Sequence, residues 1–268
     1  MQKEIPSLLI LLSLVWVLTA CGGHDAEPEP PTGENPPKEA QESVSDVDPQ
    51  APGAPAARTE EDIRGGPEQE IQQYLNQVTV QIRGSKYLGS GVIWAAEEDV
   101  LVIATAAHVT EDNSSMTVQF GMGDPVEARL CHISDQVDAA FLEVSLEAVR
   151  RQEIIWQTAR QDKEVCDRLE AGESLIIMGS VEESADRIYS GSVTEPWIYM
   201  EDFDNYMLLG HAYAIPGVSG GGVFTQDGIL VGILCGGNEA DEIAVLPWSV
   251  MEAAYDMATL FFEDGDSS

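Results

Sequence analysis

Between residues 78 and 247 the chain is cut into short apolar runs, and that cutting is what most limits the folds open to it. The runs cover 78–83, 91–94, 100–105, 116–120, 126–133, 139–144, 174–178, 188–194 and 197–200, and further ones follow at 206–209 and 229–234. Turn-forming residues lie between most of them. Runs of about four to eight residues are too short for a packed helix and match a strand crossing a core. Many short strands joined by turns favour an all-β barrel architecture, and the 198 residues from 71 to 268 suffice for one large core or a double β-barrel. Two stretches break the pattern. Residues 146–169 are polar, charged and patchily periodic, which predicts a helix-containing insertion between barrels. Residues 247–262 place Val250, Ala254, Met257 and Phe261 near helical spacing behind Pro247, which predicts a docking C-terminal helix.

Within this frame one loop carries chemistry. Gly217-Val218-Ser219-Gly220-Gly221-Gly222 sets four glycines around a single serine, between two β-rich runs. Glycine reaches positive φ without steric cost and lets another backbone come close, so the run reads as a tight loop that holds one hydroxyl outward beside free N–H groups. A serine nucleophile needs a base, and the sequence has four histidines. His24 lies in a tail that reads as unstructured, whereas His108 ends the buried run 100–107 where it opens into a polar loop. His132 and His211 read as structural. Asp138 precedes the apolar run 139–144, again a polar side chain at the lip of a strand. Asp135 competes for that role and is disfavoured because no apolar strand follows it directly.

The G-x-S-x-G pattern also marks α/β-hydrolases, but there the histidine follows the serine, and no histidine follows Ser219. The order His108, Asp138, Ser219 is that of chymotrypsin-type enzymes. The segments Gly89-Ser90-Gly91-Val92-Ile93, Thr105-Ala106-Ala107-His108-Val109, Asp138-Ala139-Ala140-Phe141-Leu142, Gly217-Val218-Ser219-Gly220-Gly221 and Ile243-Ala244-Val245-Leu246-Pro247 resemble the successive signatures of trypsin-like serine peptidases, most of all the HtrA/Deg branch. The resemblance covers about residues 75–262. It implies two six-stranded β-barrels followed by a helix. It also implies Ser219 as nucleophile, His108 as general base, Asp138 as the group that orients the imidazole, and the N–H groups of Gly217 and Ser219 as an oxyanion hole. Tyr213, Ile215, Cys235 and Gly237 would lie along the substrate pocket, Cys235 as a small wall residue. No acid lies in 212–216, so an apolar or small residue at the cleavage site is expected rather than Arg or Lys. With six polar residues after 262, the peptide-binding PDZ module of many HtrA relatives is not expected here.

The resemblance also bears on control. Pancreatic-type members place an aspartate before the nucleophile to receive a new N-terminus; Val218 stands there, and HtrA-like relatives order this loop through ligands or oligomer contacts. A homo-oligomer and a low basal activity are therefore compatible with the reading.

Ahead of the domain, residues 5–17 are nearly continuous apolar sequence, too short for a comfortable membrane span and suited to an export signal. Leu18-Thr19-Ala20-Cys21 resembles a bacterial lipobox, which predicts a signal peptide over 1–21 and lipidation of Cys21 on the extracytoplasmic face of the cell membrane. Residues 22–70 hold nine of the fourteen prolines and thirteen acids against three bases, without aromatics, and so predict a disordered tether before the domain at 71–268. The formal charge of −34, with only nine scattered Lys and Arg in 71–268, argues strongly against nucleic acid and anionic lipid as partners, since phosphate binding needs basic clusters. Cys131, Cys166 and Cys235 show neither a C-x-x-C pair nor zinc spacing, and they leave open one disulfide with a thiol or three buried thiols. The expected activity is metal-free and cofactor-free hydrolysis of a protein or peptide substrate. The alternative is a silent trypsin-like module that only binds peptides.

Overall fold

The computed structural model describes residues 67–85, 88–111, 115–179, 188–213 and 217–265, with side-chain surroundings defined from 69 to 259. The segments expected to form an export signal and nearly all of a tether, with Cys21 and His24, lie outside these residues. Helix α1 (Pro67–Val78) opens the described chain and takes up the last four residues assigned above to the tether. Burial of Tyr74, Leu75 and Val78 against the first barrel is what offsets the cost of ordering this turn of chain.

Strands β1 (Thr79–Gly84), β2 (Leu88–Ala96), β3 (Val100–Thr105), β4 (Met116–Phe120), β5 (Val126–Ile133) and β6 (Ala140–Ser145) close into a barrel in the order β1-β2-β3-β6-β5-β4. Strands β7 (Ser174–Met178), β8 (Ile188–Met200), β9 (Asn205–Ala212), β10 (Gly222–Thr225), β11 (Leu230–Gly237) and β12 (Glu242–Pro247) close a second in the order β10-β11-β12-β9-β8-β7. All neighbouring strands are antiparallel, and closure joins β1 to β4 through Ile82↔Val118 and β10 to β7 through Gly222↔Met178. The expected two six-stranded barrels are thus present. Closure follows from the pattern: a strand with one apolar face buries it most fully by curling around a shared core.

The second barrel is filled by Leu175, Ile177, Val193, Leu208, Val223, Val231, Ile243 and Val245. Met178, Phe224 and Ile233 leave that set and join the buried cluster of the first barrel, so the two cores meet along β10 and β11. The approach is close at Gly222, where an added Cβ would stand 2.9 Å from Val92.

Several expectations need revision. Residues 188–200 form one long strand rather than two, and register shifts between Val193 and Ile198 accommodate Pro196, which has no N–H to give the ladder. The strand β10 carries too few residues to stand out in the sequence. The insertion 146–169 holds only two short helices, α3 (Leu146–Arg150) and α4 (Lys163–Cys166), N-capped by Ser145 and Asp162. Between them the chain is extended and tied to both barrels: Ala159 N–H donates to Ile93 O at 2.8 Å, and Leu230 N–H to Arg160 O at 2.9 Å.

The last helix, α5 (Trp248–Gly265), buries Trp248, Met251, Ala254 and Ala258 and leaves Met257 45% exposed. Its buried stripe is therefore rotated from the one expected through Val250 and Met257. The rotation follows from Tyr255, whose ring lies 5.1 Å from Phe141 and 6.0 Å from Trp94 and whose hydroxyl donates to Glu97 at 2.8 Å. Cys131, Cys166 and Cys235 are all free thiols, and only Cys235 is buried, which removes both a disulfide among them and three buried thiols.

Candidate active site

His108 stands on a single helical turn, α2 (Ala107–Thr110), that follows β3 directly. Such a turn leaves its first N–H groups without intrahelical acceptors, and Ala106 at the cap position has no side-chain oxygen to offer. Asp138 supplies one from the β5–β6 connection. Its Oδ1 accepts the His108 backbone N–H at 3.0 Å, and its Oδ2 lies 2.8 Å from Nδ1 of the same residue. One carboxylate thus fixes both the main chain and the ring of His108. The connection is shaped by Ser134, whose Oγ accepts the N–H groups of Gln136 and Val137. Asp135 is exposed in the same loop and takes no part in this pairing.

The surroundings of the His108 ring oppose its charging, but the hydrogen bond and charge of Asp138, helped by Glu111, outweigh that and raise its pKa above the ordinary 6.5. Burial pushes the Asp138 carboxyl up, yet the hydrogen bonds and charge of His108 and a contribution from Cys235 carry it below the ordinary 3.8. With Nδ1 engaged, Nε2 is the ring nitrogen left for chemistry. The His108 side chain is 42% exposed, so a bound molecule can reach it.

Ser219 follows Gly217, whose φ of 96° is left-handed territory that a side chain would strain, and precedes Gly220 at φ 79°. The loop is bolted to the first barrel at Ser90, a fully buried residue of β2. Ser90 N–H donates to Ser219 O at 2.8 Å, and Ser90 Oγ donates to Gly217 O at 2.8 Å. Thr105 Oγ1 donates in turn to Ser90 O at 2.7 Å. Gly220 is pressed so closely on the chain leading to His108 that a Cβ there would stand 2.1 Å from Thr105 Oγ1 and 3.1 Å from Ala106 N. These contacts bring the serine loop up to the strand end that carries His108.

Among the described residues, neither Nε2 of His108 nor Oγ of Ser219 has a hydrogen-bond partner, and no acceptor takes the N–H of Gly217 or Ser219. Two backbone donors beside a hydroxyl, with a carboxylate-held imidazole across the barrel joint, form a set able to stabilise an oxyanion and to move a proton.

The residues assigned to the substrate pocket separate. Tyr213 is 64% exposed and Gly237 is exposed, while Ile215 lies outside the described residues. Cys235 is buried, with its thiol donating to Asp138 O at 3.7 Å and its pKa raised by that burial and by the Asp138 charge. It backs the aspartate from the second barrel instead of lining an open wall. Sequence reading missed this contact and the one at Ser90. The glycines on both sides of Ser90 signal close backbone approach, but the partner lies 127 residues away. His132 sits on β5 opposite Phe141, and His211 is exposed on β9 opposite Ser192, both outside this cluster. Among the described residues no three His, Cys, Asp or Glu side chains gather as metal ligands.

Residues 89–233 match the family described as trypsin-like peptidase domain, a span that contains His108, Asp138 and Ser219. No curated protein matches the sequence. Among solved structures, the fold is similar to that of Rv3671c from M. tuberculosis H37Rv, in the inactive form of a serine-to-alanine mutant. The identity is 16% and the TM-score 0.58, with 77% of this chain and 97% of that chain covered. The Rv3671c protease in an inactive form is similar at 17% identity and a TM-score of 0.57, over 71% of this chain and 93% of that one. The serine endoprotease from Yersinia pestis is similar at 18% identity and a TM-score of 0.58, over 71% of this chain and 66% of that one. At these identities the likeness to the solved structures is one of fold.

Proposed function

Because the chain belongs to the trypsin-like peptidase domain family, we propose that it is a serine endopeptidase that cuts peptide bonds through an acyl-enzyme at Ser219, His108 and Asp138. The observation that supports this most is the double grip of Asp138 on His108, which leaves Nε2 as the working nitrogen.

A neutral serine is a poor nucleophile, so His108 Nε2 takes the Ser219 proton as Oγ attacks the carbonyl carbon. Asp138 holds the tautomer with the proton on Nδ1 and stabilises the imidazolium. The N–H groups of Gly217 and Ser219 receive the oxyanion. Nε2 then returns its proton to the leaving amine, and water repeats the sequence on the ester. Catalytic hydrogen bonds of a free enzyme often close only with substrate in place, so the lack of a hydrogen bond between Ser219 and His108 is compatible with this role.

Membership of an HtrA-like branch, lipidation at Cys21 with anchoring on the extracytoplasmic face of a bacterial membrane, and action on protein or peptide substrates complete the proposal. The missing Ser219–His108 hydrogen bond favours a second reading, a surface module that binds peptides without cutting them. Treating the full chain with a fluorophosphonate probe separates the two. An active enzyme labels at Ser219 and loses the label in His108→Ala; a folded chain that never labels is the binding module.

A further inference from the structure

The hairpin of β8 and β9 carries an unusual surface. Residues 188–213 hold six of the eighteen aromatic residues, four acids and neither lysine nor arginine. Along β9 the neighbours Met207 and Leu208 point to opposite faces and both are buried, Met207 in the cluster of the first barrel and Leu208 in the core of the second. Nearer the turn, Tyr199 stands opposite Tyr206, and Trp197 stacks on Tyr206 with ring centroids 5.4 Å apart and planes 10° from parallel. Tyr199 meets Tyr206 edge-on at 5.5 Å. These rings are 52%, 47% and 46% exposed for Trp197, Tyr199 and Tyr206, although they are the side chains a monomer would most readily cover. Glu195, Glu201, Asp202 and Asp204 surround them, all exposed.

We propose that this aromatic, acid-rimmed face of the β8–β9 hairpin binds an arginine- or lysine-bearing segment of polypeptide. Ring faces attract a guanidinium or ammonium, and the carboxylates nearby add charge and, for arginine, forked hydrogen bonding. An aliphatic partner would leave the rim carboxylates desolvated without compensation, and a second copy of a chain with net charge −34 would be repelled. The hairpin also reaches the site already described. Phe203 at its turn packs so near β11 that a Cβ on Gly236 would stand 3.3 Å from its ring, and Gly236 follows Cys235 behind Asp138. A polypeptide crossing the Ser219 loop can therefore continue onto this face. The binding itself does not depend on catalysis.

The test uses the full chain and a blocked hexapeptide with two arginines, titrated at about 0.15 M salt so that diffuse attraction is screened. Saturable binding is expected, weakened roughly tenfold in Trp197→Ala/Tyr206→Ala, which keeps the net charge, and largely retained in Trp197→Phe. Replacing arginine by citrulline, its neutral counterpart, should weaken binding by a similar factor. Glu201→Gln/Asp202→Asn, with the rings intact, should weaken it several-fold and flatten its salt dependence. The proposal is overturned by absence of saturable binding, by equal binding to the double alanine variant, or by equal binding of the citrulline peptide. It is also overturned if sedimentation shows self-association that Trp197→Ala abolishes, since the face would then serve a second copy.

Discussion

Asp138 serves two groups of one residue, and its replacements should separate them. In Asp138→Asn the side-chain carbonyl can still accept the His108 backbone N–H, while the amide facing Nδ1 favours the wrong tautomer. The fold should persist and turnover should fall by about 10⁴, as in the comparable change in a serine protease, measured by single-turnover hydrolysis of an activated ester. Stability and activity should answer pH in opposite ways. The lowered Asp138 pKa adds stability that is present above about pH 4 and lost as pH falls through the folded value. The raised His108 pKa adds stability that is present below about pH 6.5 and lost as pH rises through the folded value. The pair therefore supports the fold most between those limits, where the imidazole is charged and cannot act as base. Activity should rise with pH through an inflection above 6.5, and the stability difference between the wild type and Asp138→Asn should narrow as pH increases past it. Ser90→Ala removes the hydroxyl that holds Gly217 O, and about a tenfold drop in kcat with KM nearly unchanged is expected if that bond aims the oxyanion donors. The candidates His108, Asp138 and Ser219 were legible from local signals: His108 closes the apolar run 100–107, Asp138 opens the run 139–144, and glycines frame Ser219. Cys235 was not, since its partner is set by the docking of two barrels and not by anything near it in the chain.

Elements were legible in proportion to how local their causes are. Strand β4 alternates buried and partly exposed residues, and β3 is almost wholly buried, so each announced itself through side-chain pattern. The helix α5 was legible in place but not in rotation, because Tyr255 chooses the face by finding Trp94 and Phe141 on the first barrel. Burial states the outcome in measurable terms. Met251→Ala opens a cavity at a fully buried position and should cost about 2–5 kcal/mol in denaturant unfolding, whereas Met257→Ala on the exposed side should stay within about 0.5 kcal/mol. A reversed order would mean that the helix is seated on its other face. The long strand β8 was misread for a related reason: Pro196 ends a strand by local rules, and only the register shifts against β9 let the strand run past it.

At the scale of the whole molecule, the proposed assignment predicts an activity that does not wait for a newly cut N-terminus. Val218 is fully buried in the second barrel's core, where an added Cβ on Gly179 would stand 2.5 Å from it, and it has no charge to receive an ammonium. A form beginning at Gly22 and one beginning at Gly66, both without lipid, should therefore turn over substrate equally. Activity that appears only after a single cut in the preceding region would refute this and reveal a zymogen. The joint between the barrels has a further consequence. His108, Asp138 and Ser90 belong to the first, Ser219 and Cys235 to the second, so on the proposed assignment neither holds a working set. The domain computes a logical AND whose inputs are two correctly docked bodies. A chain severed in the extended connection around 151–162 and fused to two other proteins would convert their encounter into hydrolysis, with background set only by how readily the bare halves find each other.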